Sequence, residues 1–274
     1  MSSTESNSTG QSRTSTLEHA GRPLQVTELG TNEPALVLLS GLGDPASWWF
    51  SVPSPEEAGP HWQGDPRGDR PGLAPGLASV ARVVAYDRAG VGGSAALDHD
   101  RTWDEIYAEL EAVLNALHLT RPPVLVGHSL GGMIASTYAR RHLSRVGGLV
   151  LLDMTPPPLE PRPHGPSPER LALTHFEPPE VAPHVLGDLP LVLVAPGRPS
   201  TVAEVAWQQP TATREALDSR FRQRRERHEQ ILRTSARSRA VWTSQPGHYV
   251  HLDTPDVVME AVLEVWQEVR ARLE

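Results

Sequence analysis

Gly127-His128-Ser129-Leu130-Gly131 is the most constraining stretch of this chain. It follows the apolar run Val124–Val126 and precedes a helix-like stretch from Met133 to His142. G-x-S-x-G between a strand and a helix makes a turn too sharp for a side chain at either flank. The serine in such a turn is strained, with its hydroxyl lifted above the end of the sheet. Ser129 is therefore the candidate nucleophile. A Ser/Gly helix cap carries the same letters, but the strand before, the helix after and a late Gly247-His248 weigh against it.

Strand and helix candidates alternate around this turn. Leu17–His19 and Leu24–Glu28 flank Gly21-Arg22-Pro23 as a hairpin. Ala35–Leu39, Arg82–Tyr86, Gly148–Leu152, Leu189–Ala195 and Arg239–Thr243 read as further strands. Trp103 to Leu117 is an amphipathic helix with Ile106, Leu110, Val113, Leu114 and Leu117 at helical spacing. Arg214 to Leu232 is a polar helix, and Val257 to Leu273 is a C-terminal one opened by Thr254-Pro255. This alternation predicts an α/β fold: a mostly parallel twisted sheet, helices on both faces and an antiparallel start.

Residues 1–16, rich in Ser and Thr, are expected to be a disordered tail. Residues 17–274 are expected to form one domain. Ser51 to Pro75 reads as a long loop. Thr155–Asp188 holds ten prolines between two core strands and reads as a small cap, residues 155–188, over the site. At most one short helix is expected in it, near Glu169–Thr174.

Composition removes several function classes. The net charge of −8 argues against a nucleic-acid partner, which needs a basic face. Arg220, Arg222, Arg224, Arg225 and Arg227 alternate with Gln223, Glu226 and Glu229, which reads as a solvated helix face. With no cysteine in the chain, disulfides and thiol chemistry are excluded. No signal peptide, lipid anchor or run of about 18 apolar residues is seen, so a cytoplasmic protein off the membrane is expected. The histidines are scattered without an H-E-x-x-H, and no G-x-G-x-x-G follows an early strand. No metal and no cofactor are expected.

Four segments in this order resemble the α/β-hydrolase fold family over roughly residues 17–274. They are Leu39-Ser40-Gly41-Leu42-Gly43-Asp44, Tyr86-Asp87-Arg88-Ala89-Gly90-Val91-Gly92-Gly93-Ser94, the Ser129 turn, and Gly247-His248. The resemblance implies a Ser-Asp-His triad and an oxyanion hole of two backbone amides. It puts the general base at His248. His251, three residues on, lacks the flanking glycine and reads as a neighbour of the site. His128 is expected to pack beside the nucleophile, and Asp253 and Thr254 to cap the last helix. The oxyanion donors are the amides of Leu130 and Leu42, although Ser40 stands where the family often has His.

The acid is less well marked. The family usually supplies it after the strand placed at Leu189–Ala195, but that strand runs into Pro196-Gly197-Arg198-Pro199-Ser200. Asp153, at the end of the preceding strand, keeps the chain order Ser, Asp, His; Glu204 or a different carboxylate is the alternative. Asp87 and Arg88 read as structural, through turn hydrogen bonds and a local ion pair.

The resemblance implies a serine hydrolase acting on a small, mostly apolar ester or related acyl substrate through an acyl-enzyme. Perhydrolase or haloperoxidase-like chemistry with the same triad, and a hydrolase-like non-catalytic receptor, are the alternatives. Haloalkane dehalogenases and the usual epoxide hydrolases need Asp where Ser129 stands. Nothing in the sequence specifies an oligomeric state.

Overall fold

The computed structural model describes residues 11–59, 62–63, 65, 70–154, 169–170 and 182–273. Eight strands form one sheet: β1 (Arg13–His19), β2 (Arg22–Leu29), β3 (Leu36–Leu39), β4 (Val83–Tyr86), β5 (Val124–His128), β6 (Gly148–Leu152), β7 (Leu191–Pro196) and β8 (Ser238–Thr243). Their spatial order is β1-β2-β4-β3-β5-β6-β7-β8. β1 pairs antiparallel with β2, and β2 with β4; every later pairing is parallel. This is the mostly parallel sheet with an antiparallel start that the strand–helix alternation predicts, in the α/β-hydrolase arrangement that the resemblance implies.

β1 begins at Arg13, inside the segment expected as a tail. Thr14 and Thr16 alternate with Ser15 and Leu17 across from Thr27, Gln25, Val26 and Leu24, so polar strand residues suffice on an exposed edge. The Ser51–Pro75 segment is not merely a loop. It contains α1 (Pro55–Ala58), closed by a Ser54/Glu57 capping box, and α2 (Leu73–Leu77), which buries Leu73, Ala74 and Leu77. Most of the 155–188 cap lies outside the described residues, as does the short helix expected near Glu169–Thr174. Glu169, Arg170 and residues 182–188 are described.

Alternation along the central strands splits the core in two, because successive side chains leave opposite faces. Val37 and Leu39 join α3 (Trp103–Ala116) and α4 (Leu130–Arg141) on one face, whereas Leu36 and Leu38 join α2 and α8 (Pro255–Leu273) on the other. α3 opens on a Thr102/Glu105 capping box and buries Ile106, Leu110, Val113 and Leu114. α8 buries Val258, Ala261, Val262, Val265, Trp266 and Val269; each larger side chain contributes about 1.5–3 kcal/mol. α6 (Arg214–Leu232) buries only Leu217, His228 and Ile231. Among the described residues, two short helices, α5 (Val202–Val205) and α7 (Val250–Asp253), and 3-10 turns at Ala46–Trp49 and Leu143–Arg145 complete the elements. No helix among the described residues is long and apolar enough to cross a membrane.

Strand order positions the site. After β4 the chain crosses β3 to enter β5, so the loops leaving β3 and β5 lie side by side at the carboxyl end of the sheet. Leu39 is level with Gly127, and His128 with Leu152. Ser129 and Asp153 are therefore each the first residue beyond two adjacent, level strands.

Candidate active site

Ser129 turns the chain from β5 into α4 with φ 51° and ψ −114°. The left-handed region is strained for serine, and close approach keeps it there. A Cβ on Gly127 would come within 2.5 Å of the Gly131 backbone, and one on Gly131 would overlap the Leu39 carbonyl oxygen. Asp153 is strained in the same way, with φ 35°. Its amide donates to the Val194 carbonyl at 2.7 Å and that of Ser129 to Leu152 at 3.0 Å, so the sheet itself anchors both turns.

His248 enters from the segment after β8 and bridges the two strand ends. Its Nε2 lies 2.9 Å from Ser129 Oγ and its Nδ1 lies 2.6 Å from Asp153 Oδ2. An ionised carboxylate only accepts, so Nδ1–H donates to Asp153 and Nε2 is left to accept the serine proton. Burial pushes the Asp153 carboxyl upward. The charge of Arg224 and the hydrogen bond and charge of His248 outweigh this and bring it to about 2. Burial also lowers His248, and Arg224 and His128 add to it. Asp153 opposes them, and the ring comes to about 4.

The other candidates separate clearly. His251 sits in α7, with its ring 4.7 Å from Trp49 and 4.5 Å from His128, and burial holds it well below the ordinary histidine range. His128 Nε2–H donates to the His248 carbonyl at 3.0 Å, which fixes the backbone of the base rather than its ring. Asp253 is engaged elsewhere: it accepts from Trp62 Nε1 at 3.0 Å. Glu204 pairs with Arg198 at 2.7 Å and closes a capping box with Thr201 on α5. In the loop after β3, the Gly43 amide donates to Glu169 and that of Asp44 to Gly41, so neither competes with the Leu42 amide, the donor that the resemblance implies. Leu130 lies in the first turn of α4, where an amide has no partner within its helix.

Two expectations are corrected. Arg88 makes no local ion pair with Asp87. It forks onto Glu169 at 2.7 and 2.8 Å and donates to the Ser40 and Gly41 carbonyls at 2.7 and 2.5 Å. Glu169, inside the 155–188 segment, accepts from Gly43 at 2.7 Å and so ties that segment to the Leu42 loop. Asp87 does make turn bonds, accepting from Ala46 at 2.6 Å and Gly93 at 2.9 Å. Arg88 and Glu169 are both buried. Replacing Glu169 with Ala is expected to cost about 3–5 kcal/mol, because it strands a buried guanidinium. Denaturant unfolding measures this, and a loss below about 1 kcal/mol contradicts the pairing.

The second correction concerns the basic stretch of α6, which is not wholly a solvated face. Arg224 Nη1 lies 3.2 Å from Asp153 Oδ2, His228 Nε2–H donates to the Met154 carbonyl at 2.9 Å, and Arg225 covers the Trp242 ring at 3.8 Å. The signal was present as spacing: Leu217, Phe221, Arg224, His228 and Ile231 recur every three or four residues and share one helix face.

A family profile for the alpha/beta hydrolase fold matches residues 34–176, more than half of the chain. A Bacillus subtilis protein of uncharacterized function, YqjL, is 28% identical over 200 residues, covering 67% of this chain and 72% of that protein. A haloalkane dehalogenase of Sphingobium indicum is 30% identical over 148 residues, 53% of this chain and 43% of the dehalogenase, so the match spans less than half of that enzyme. Among solved structures, a thermophilic esterase from Thermogutta terrifontis superposes with a TM-score of 0.65 at 19% identity, covering 94% of this chain and 99% of the esterase.

Proposed function

The chain belongs to the alpha/beta hydrolase fold family, and on that premise we propose that it is a serine hydrolase. Its substrate is a small, mostly apolar ester or related acyl compound, cleaved through an acyl-enzyme. The observation that carries this is His248 standing between Ser129 Oγ at 2.9 Å and Asp153 Oδ2 at 2.6 Å.

A serine hydroxyl needs a base within hydrogen-bond reach to attack a carbonyl. Ser129 Oγ bonds to the acyl carbon while its proton passes to His248 Nε2. Asp153 stabilises the imidazolium that results. The amides of Leu42 and Leu130 receive the carbonyl oxygen as it becomes an oxyanion. On collapse, the leaving alkoxide takes the Nε2 proton and the acyl group stays on Ser129. Water then attacks, giving its proton to Nε2, and the acid departs as Ser129 regains a proton. The receptor alternative drew on the lack of a carboxylate after β7. A carboxylate from the neighbouring strand end, hydrogen-bonded to His248, removes that reason.

Turnover of p-nitrophenyl acetate and labelling by a fluorophosphonate probe test the reading, and a panel of acyl chains defines the preference. A folded protein that neither turns over nor labels is not a serine hydrolase. The pH profile follows from the base. Nε2 accepts a proton only while the ring is neutral, so kcat/KM stays level above the ring's pKa and declines below it. Because that pKa is about 4, the acid limb is expected well below the ordinary 6.5. A limb at 6.5 or higher in the ester assay contradicts this electrostatic setting.

A further inference from the structure

Arg224 and His248 approach the same oxygen. Arg224 Nη1 lies 3.2 Å from Asp153 Oδ2, which His248 Nδ1 meets at 2.6 Å, and Arg224 Nη2 lies 3.3 Å from Nδ1 itself. A guanidinium has only donors, and Nδ1–H is committed to the carboxylate, so the 3.3 Å approach is not a hydrogen bond. Two donors are brought together by one shared anion. The arrangement has two consequences. Asp153 is fully buried and strained, and it is anchored from a second direction. A permanent positive charge also stands against the ring that must acquire one during the reaction.

We propose that Arg224 is a positioning residue for the reaction, fixing Asp153 as an ionised acceptor and keeping His248 available as a neutral base in mildly acidic solution. The proposal rests on the serine-hydrolase reading above. β6 presents Asp153, and α6 presents Arg224 and His228, the latter 4.0 Å from Asp153 Oδ1. β5 ends in His128, its ring 4.7 Å from that of His248, and Ser129 follows it. Tyr249 adjoins with its ring 5.6 Å away, and α7 contributes His251 behind His128. Of these, Arg224 is the one side chain that stays cationic at all working pH values. The lowering of His248 by Arg224 runs in the same direction.

Substitution here is sterically mild. The Arg224 side chain is 35% exposed and borders a cleft of about 170 Å³ together with Phe221, Arg225, His228 and Trp242. Shortening it therefore opens onto solvent instead of leaving a sealed void.

The test compares wild type with Arg224→Gln, Arg224→Met and Arg224→Lys in the full chain. The readouts are the pH profile of kcat/KM and the titration of His248 followed by NMR of labelled histidine rings, assigned with His248→Gln. In the Gln and Met variants the acid limb is expected to move up from about 4 but to stay below the ordinary 6.5, because burial, the largest cause of the lowering, remains. At pH 5 each variant is therefore expected to lose a larger share of its own plateau activity than the wild type does. Lys restores the charge without the planar fork and should bring the limb most of the way back. An unmoved limb and an unmoved His248 titration in a folded Gln or Met variant overturn the proposal. Equal behaviour of Lys and Gln also overturns it, since that is the mark of packing alone. Should Ser129→Ala keep its esterase activity, the hydrolase reading fails instead, and the His248 titration still reports what Arg224 does to the ring.

Discussion

Replacing Ser129 with alanine is expected to reduce ester turnover by about 10⁴-fold or more and to abolish fluorophosphonate labelling. The change removes one oxygen, Oγ, which lies 2.9 Å from His248 Nε2. Without it the base has no proton to take and the acyl group has nowhere to reside. Members of a triad act as a unit, so the loss approaches that of removing the whole group. The fold should survive. The turn is held by the Ser129 amide on the Leu152 carbonyl and by the close approach of Gly127 to Gly131, neither of which uses the hydroxyl. A melting curve beside the kinetics separates chemistry from folding. If the variant keeps a tenth of wild-type activity, the nucleophile is another group.

The second large effect is at the acid. Asp153→Asn keeps the shape but replaces a pure acceptor with a group that is half donor. If the amide N–H faces Nδ1, the ring must carry its proton on Nε2 and can no longer accept from Ser129. The expected cost is about 10²–10⁴ in kcat. Some stability is lost as well, because Arg224 loses its anionic partner while the substituted carboxamide occupies a fully buried position. Glu204→Gln is the control. Glu204 pairs with Arg198 and caps α5, an arrangement that does not involve His248, so kcat should hold within about twofold. A silent Asp153→Asn, or a Glu204→Gln that matches it, moves the acid elsewhere.

Much of the fold was legible because its signals are local. Apolar runs marked the strands, helical spacing marked α3, and Thr254-Pro255 marked the start of α8. Glycines at a turn that admits no Cβ marked Ser129. Gly247-His248 pointed to the ring that the structure brings to Ser129 Oγ. Short helices escape such reading where capping boxes are their only sign, as in α1 and α5. The first half of β1 escapes it because its residues are polar.

The sequence by itself determined the order of strands and helices, the strained serine turn and a histidine late in the chain. These depend on interactions between residues a few positions apart. Only the tertiary structure decided which carboxylate meets that histidine. Asp153 and His248 are 95 residues apart, and their contact follows from β6 lying level with β5 in the sheet. The same holds for Arg88, which bonds Glu169 rather than the adjacent Asp87. It holds too for Arg224, which lay within a charged run but turns inward on the stripe that includes Leu217 and His228. A charged side chain takes the partner that strand order and helix facing bring within about 3 Å. Spacing along the chain does not encode that distance.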